Sequence, residues 1–375
     1  MKLQIKIVLF FITLLTCNSI HTASLTGQIY TSSQMPKPLK ITPGSLDPNF
    51  GSFGRVAFNI DGTTLNSAND IAIDRFGRIV VAGESTSGAE ARFTLLRLTA
   101  DGDVDLSFGS SGYVVADIVT TNTLSNYANA IAIDSQNRIL AAGVYNLDPA
   151  IVRYTEDGVL DTTFGAGGVT TTSIANNNFI EDIAIDSQGR IIAVGYSTSN
   201  SNDVLVLRYN KDGGLDSTFG TSSGYTILSG LGSAETTYAL AIDSSDNIIV
   251  AGAKNGNILV ARLTSEGLID LSFGTIGYVV ISTANPVETL YSVKIDSQGR
   301  ILAGGVVNDT TTTPHAYGFF VVRLLSTGQL DTSFNGVGYG RYGFSGFTTT
   351  DKGMAIIDPL GRIVLMGSKI GRAHV

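Results

Sequence analysis

One eleven-residue stretch occurs six times along the chain, and this repetition constrains the fold more than any other feature. It reads "IDRFGRIVVAG" from Ile73, "IDSQNRILAAG" from Ile133, "IDSQGRIIAVG" from Ile185, "IDSSDNIIVAG" from Ile242, "IDSQGRILAGG" from Ile295 and "IDPLGRIVLMG" from Ile357. A second signature alternates with it: "LDPNFG" from Leu46, "VDLSFG" from Val104, "LDTTFG" from Leu160, "LDSTFG" from Leu215, "IDLSFG" from Ile269 and "LDTSFN" from Leu330. Successive copies lie 52 to 62 residues apart. That is room for one small supersecondary unit and too little for an independent domain.

Each unit holds four short segments rich in β-branched residues and bounded by Gly, Asn and Asp, the pattern of strands and turns. In the second unit these are 112–118 "GYVVADI", 129–134 "NAIAID", 138–143 "RILAAG" and 150–155 "AIVRYT". A four-stranded antiparallel unit repeated radially is a propeller blade. The expected fold is therefore an all-β propeller of four-stranded antiparallel blades, with about six blades visible and the last incomplete. Composition agrees: 43 of the 375 residues are Gly and charged residues are only 15%.

The residue before the basic position of the first signature is Gly77, Asn137, Gly189, Asp246, Gly299 or Gly361. These types tolerate a left-handed backbone. The preceding Asp (74, 134, 186, 243, 296, 358) can bond its side chain to amides two residues on. The stretch thus reads as a hairpin turn and not as a catalytic loop. The last residue of the second signature, Gly51, Gly109, Gly165, Gly220, Gly274 or Asn335, follows the same logic. A further regularity is an Arg eight residues before an Asp: Arg97 and Asp105, Arg153 and Asp161, Arg208 and Asp216, Arg262 and Asp270, Arg323 and Asp331. Each Arg sits in an apolar strand, where an unpaired charge is costly. We expect each to pair with an Asp of the following turn or of the neighbouring blade, as a structural repeat pair. The six phenylalanines of the second signature are expected to plug the packing between blades.

The alternation of "LDTTFGAGGV", "IAIDSQGRIIAVG" and "VLVLRYNKDGGLD" resembles the delta-60 repeat, a β-propeller module of bacterial exported and surface proteins. The "AIDSQGRI" element is more weakly similar to NHL-type and lactonase-type propellers. The resemblance implies fold and export, and it carries no activity onto particular residues.

The organisation expected is a signal peptide over 1–23, an N-terminal segment over 24–43, the repeats over 44–369, and a non-native tail over 370–375. Lys2 and Lys6 precede the apolar run Ile7–Thr16, which is too short for a permanent span. Export to the periplasm, cell surface or medium follows, with cleavage after Ser19 or Ala23 and lipid attachment at Cys17 as the alternative. The tail "IGRAHV" matches a translated sequencing adapter, and "GRVAFNI" (54–60) is a candidate to pair with the last strands and close the ring. Cys17 is the only cysteine, so the mature chain has no disulfide. Signal removal takes the net charge from −8 to about −10. An acidic surface of this kind argues against nucleic acid.

Two connections per unit are constant in length and two vary. In an antiparallel blade alternate connections share an end, so the constant turns form one face and the variable loops the other. Variable loops on a rigid frame are where recognition is carried. Their Ser, Thr, Asn, Gly and scattered aromatics suit a protein, peptide or glycan partner.

The histidines are His21, His315 and His374, and with so few neither a Ser–His–Asp site nor a His/Cys metal cluster has material. "DGDVD" (101–105) lacks the spaced acidic ligands of a calcium loop. No cofactor is expected, and the absence of Trp argues against propellers that pack tryptophans around a quinone. Two functions from different classes remain. The leading one is a non-enzymatic exported propeller serving as a binding or surface scaffold. The alternative is a metal-dependent lactonase-like hydrolase at the axial mouth, using Asn69, Asp70, Asn129, Glu181 and Asp182. In other blades those positions become Tyr238-Ala239 and Tyr291-Ser292.

Overall fold

A computed structural model describes residues 47–60, 65–87, 90–116, 126–174, 177–198, 202–228, 235–282, 287–309, 316–343, 353–357 and 363–367. The expected signal peptide, the segment 24–43 and the tail 370–375 lie outside the described residues. Every regular element is a strand. The first sheet comprises β1 (Leu65–Ile73), β2 (Ile79–Ser87), β3 (Glu90–Leu98) and β4 (Tyr113–Val115). The second comprises β5 (Asn126–Ile133), β6 (Ile139–Tyr145), β7 (Asp148–Tyr154) and β8 (Val169–Thr171). The third comprises β9 (Asn178–Ile185), β10 (Ile191–Ser197), β11 (Asp203–Tyr209) and β12 (Tyr225–Leu228). The fourth comprises β13 (Glu235–Ile242), β14 (Ile248–Lys254), β15 (Asn257–Leu263) and β16 (Tyr278–Ile281). The fifth comprises β17 (Val287–Ile295), β18 (Ile301–Asp309), β19 (Ala316–Leu324) and β20 (Tyr339–Gly343), and the hairpin β21 (Gly353–Ile357) and β22 (Ile363–Gly367) follows.

All sheets are antiparallel meanders in chain order, and consecutive sheets meet through their first strands. Those first strands therefore surround the axis, and the chain is a β-propeller. The blade boundary differs from the sequence reading in one respect. The "GYVV" strand pairs backward with the sheet before it, as β4 does with β3 through Leu96↔Tyr113. It had been grouped with the strands that follow it. The reason is the tight turn of the second signature, which returns the chain along its own sheet before the longer connection carries it to the next. A second difference concerns 54–60, which forms no strand; Val56 and Phe58 pack instead against Ile79, Val81 and Leu98 of the first blade.

The apolar core lies between blades. One cluster joins Val80, Ala82 and Phe93 of the first blade to Ile131, Ile139 and Val152 of the second. Equivalent clusters fill the next three interfaces. Middle strands are covered on both faces, so Ile191, Ile192, Ala193 and Val194 are all buried. This explains why they read as continuous apolar runs and not as alternating ones.

Candidate functional site

The five Arg–Asp pairs lie on the face of the constant turns. Each Arg stands near the end of a third strand, and its Nε donates to the Oδ2 of the Asp eight residues later. The distances are 2.8 Å for Arg97–Asp105, Arg153–Asp161 and Arg208–Asp216, and 2.7 Å for Arg262–Asp270 and Arg323–Asp331. The guanidinium also reaches the next blade. It donates to a backbone carbonyl of Glu156 from Arg97, of Lys211 from Arg153 (2.5 Å), of Ser265 from Arg208 (2.6 Å) and of Ser326 from Arg262 (2.6 Å). Its flat face covers the ring of Phe108, Phe164, Phe219, Phe273 or Phe334 at 4.5–4.9 Å. The Gly after each of the first four donates its amide onward, as Gly165 does to the Asp212 carbonyl at 2.7 Å. Each of the first four clamps is thus a charge-assisted joint between consecutive blades. Burial raises the carboxyl of Asp216, but bonds from the Thr218 hydroxyl and amide and from Arg208 outweigh it and hold the group below the usual range.

The first signature forms the other constant turn. Asp186 Oδ1 accepts from the amides of Gln188 (2.9 Å) and Arg190 (2.8 Å), and Oδ2 accepts from Arg190 Nε at 2.6 Å. Gly189 closes the turn at φ 78°, and Asn137 and Asp246 do so at 64° and 61°.

The axial mouth is built differently. Every first strand of the five complete blades slips register by one residue at the same place: Asn69, Asn129, Glu181, Tyr238 and Tyr291 have no partner in the adjacent strand. A β-bulge of this kind bends the strand and re-aims its side chains. The cause lies in the neighbouring strand, in the Gly that ends the first signature. A Cβ on Gly195 would sit on the carbonyl oxygen of Phe179, and one on Gly252 on that of Thr236. Gly83, Gly143 and Gly305 make the same approach. The sequence alone assigns this Gly no role, although its recurrence nine residues after each turn aspartate is the available signal.

The re-aimed side chains converge from blades that are not neighbours. The charge of Asp70 in the first blade bears on Asp182 in the third, as does that of Lys294 in the fifth. Glu181 bears on Tyr127, Tyr196 and Tyr291, which come from the second, third and fifth blades. Such convergence is possible only around the axis. Tyr238 and Tyr291 have ring centroids 4.9 Å apart, and Phe179 stacks on Tyr196 at 4.9 Å. Burial pushes the Asp182 carboxyl up to about 7 and the Asp70 charge adds to this, against bonds from the amides of Leu240 and Ile183. Burial likewise raises the Tyr291 hydroxyl to about 12, with Tyr238 and Glu181 contributing.

Asp70 and Asp182 also tie blades together. Asp70 accepts from the amides of Ile71 (2.8 Å) and Ile131 (2.9 Å), and Asp182 from those of Ile183 and Leu240 at 2.8 Å. Asn69 and Asn129 donate to the carbonyls of Ala128 (2.8 Å) and Ile180 (2.9 Å). Each oxygen of both aspartates accepts one backbone amide and keeps a second lone pair, enough to take up a proton, while this donor set lacks the three convergent ligands that a metal of the kind the lactonase-type likeness implies would need. Among the described residues no three His, Cys, Asp or Glu gather around one point. His315 and most of the variable loops lie outside the described residues. The open groove beside Phe53, Arg55 and Asp103, about 470 Å³, lies beside the constant turn 101–104 of the first blade and not at the axial mouth. Among the described residues no helix is long and apolar enough to cross a membrane.

A family model described as a β-propeller domain of unknown function (DUF5122) matches residues 77–108, 136–164 and 187–219. No curated protein sequence matches the chain. Among solved structures, virginiamycin B lyase from Staphylococcus aureus is similar at 11% identity and TM-score 0.45, covering 84% of this chain and 87% of its own. A protein of unknown function from Dyadobacter fermentans is similar at 10% and 0.44, covering 80% and 94%. A gluconolactonase from Xanthomonas campestris is similar at 13% and 0.38, covering 81% and 95%. Lyases and gluconolactonases recur in this set. The expectation of a non-enzymatic binding or surface scaffold, with its leaning against an enzyme, is corrected to this extent: the fold is one that lyases and gluconolactonases share. The likeness is one of fold, and the chemistry has to be sought in this chain's own residues.

Proposed function

We propose that the axial mouth carries out general acid–base chemistry on a small molecule, a hydrolysis or an elimination, with Asp182 as the group that holds and moves the proton. The feature that carries this reading is the Asp182 carboxyl itself, a first-strand acid that accepts from the Leu240 amide of the next blade and feels the Asp70 charge of the first, where burial and that charge push it up to about 7. A group titrating near neutrality is present in both forms at working pH, which is the requirement for acid–base catalysis. Strongly perturbed carboxyls concentrate at functional sites. Glu181 stands beside it in the sequence, and both acids are half-buried, so a bound molecule can reach a carboxyl whose ionised form is disfavoured.

The chain carrying this site is inferred to be exported, with 1–23 as its signal peptide and 44–369 as repeats of the delta-60 kind. The test is a screen of lactones, esters and elimination substrates with the mature protein, followed by pH profiles. We expect turnover with an inflection near pH 7 that Asp182→Asn abolishes, with rate losses on the order of 10²–10⁴. Undiminished turnover in a folded Asp182→Asn variant would refute the assignment.

A further inference from the structure

We propose that the axial mouth receives a ligand bearing a positive charge, a small amine or quaternary ammonium compound, held against the rings of Tyr196, Tyr238 and Tyr291 beside the Glu181 carboxylate. This deepens the reading above and rests on its placement of the site at the axis. The argument begins with the bulge. In five blades it presents one equivalent residue to the same level of the channel: Asn69, Asn129, Glu181, Tyr238 and Tyr291. Two of these are aromatic and one is acidic, side by side in consecutive blades. Tyr238 and Tyr291 are tilted by 43° at 4.9 Å, so they form adjoining walls and not a flat platform. Phe179 and Tyr196, stacked at 24°, add a second aromatic wall from the third blade.

Tilted aromatic walls around a carboxylate are what a cation requires. Ring faces carry the negative end of the quadrupole and attract ammonium groups, the more so where water is displaced. A flat platform with a polar rim would suit a sugar better. The charges nearby have the same sense. Glu84 and Glu181 bear on Tyr127, Asp70 bears on Asp182, and Lys294 is a cation that reaches Asp182. Burial keeps the phenols of Tyr127, Tyr196 and Tyr291 protonated, so their rings stay neutral. An incoming cation would meet ring faces and carboxylates together.

The experiment compares choline with 3,3-dimethyl-1-butanol, its uncharged carbon isostere, by titration calorimetry on the mature chain at low salt. Choline should bind at least tenfold more tightly than the isostere. Tyr238→Leu should weaken choline tenfold or more while leaving the isostere little changed. Glu181→Gln should weaken choline and flatten its salt dependence, and thermal unfolding would verify that both variants are folded. Equal affinity for the two probes, or binding of neither by folded protein, overturns the proposal. The acid–base reading is judged separately. Turnover of a neutral substrate that choline does not inhibit would sink the cation proposal and leave Asp182 its role. Choline binding by a chain that turns over nothing in the screen would do the reverse.

Discussion

The two ends of each blade are built by opposite rules. At the constant turns, four consecutive blades repeat one joint almost atom for atom: Arg to Asp, Arg to the next blade's carbonyl, Arg over Phe. At the axial mouth the backbone repeats just as faithfully, yet the side chain at the bulge is Asn, Asn, Glu, Tyr and Tyr in turn. Repetition of the side chain marks what holds the ring together. Divergence at an equivalent backbone position marks what the ring has been adapted to do.

This contrast can be broken or sharpened by experiment. The largest effect is expected from Gly195→Val, because the new side chain meets the Phe179 carbonyl and neither strand can yield without losing its ladder. A loss of about 5 kcal/mol is expected, enough to prevent folding of a marginal domain, and urea denaturation or soluble yield reads it. If the variant is as stable as the parent, the bulge does not depend on that glycine. Next comes Arg208→Ala. It leaves the buried Asp216 without its counter-charge and the Ser265 carbonyl without its Arg208 donor, and should cost about 4 kcal/mol in the same measurement. Arg323→Ala should cost less, about 2 kcal/mol, since that side chain is 17% exposed. An equal loss for both would mean that the difference in burial between the two pairs has no bearing on their strength.

The smallest effect concerns pH, and its sign differs between the two regions. The clamp carboxyls, such as Asp105 and Asp216, are held low by their bonds to Ser107 or Thr218 and to Arg. Their contribution is present above the unfolded value of about 4 and is lost as pH falls through the lower folded value. Asp182 behaves oppositely. Its folded value is raised to about 7, so its contribution is full below about 4 and is lost as pH rises through 7. The melting temperature of the parent should therefore fall by about 1–3 °C between pH 6 and 8, and that part of the fall should vanish in Asp182→Asn. An unchanged alkaline limb in the variant would show that Asp182 is ionised throughout.

Much of the architecture is legible in the sequence because turn chemistry is local. Asn137 and Asp246 replace Gly at one left-handed position, and Asn335 does so at another, which marks these as turns without any coordinates. The Arg–Asp spacing is legible for the same reason: an eight-residue interval spans one strand end and one turn. The blade boundary is not, since whether "GYVV" pairs forward or backward depends on a loop's path and not on its own residues. The mouth is half legible. Asn69, Asp70, Asn129, Glu181 and Asp182 stand out as polar residues in apolar strands, but Tyr238 and Tyr291 look like ordinary strand aromatics. Only the register slip shows that Tyr238 and Tyr291 are the equivalents of Asn69, Asn129 and Glu181.

That slip has an evolutionary corollary. The backbone shape at the axis is dictated by a glycine on the neighbouring strand, so the residue displaced toward the channel owes nothing to its own conformational preference. An acid, an amide or a phenol is accommodated alike. A new lining can then be written one point mutation at a time, with the scaffold indifferent to each choice.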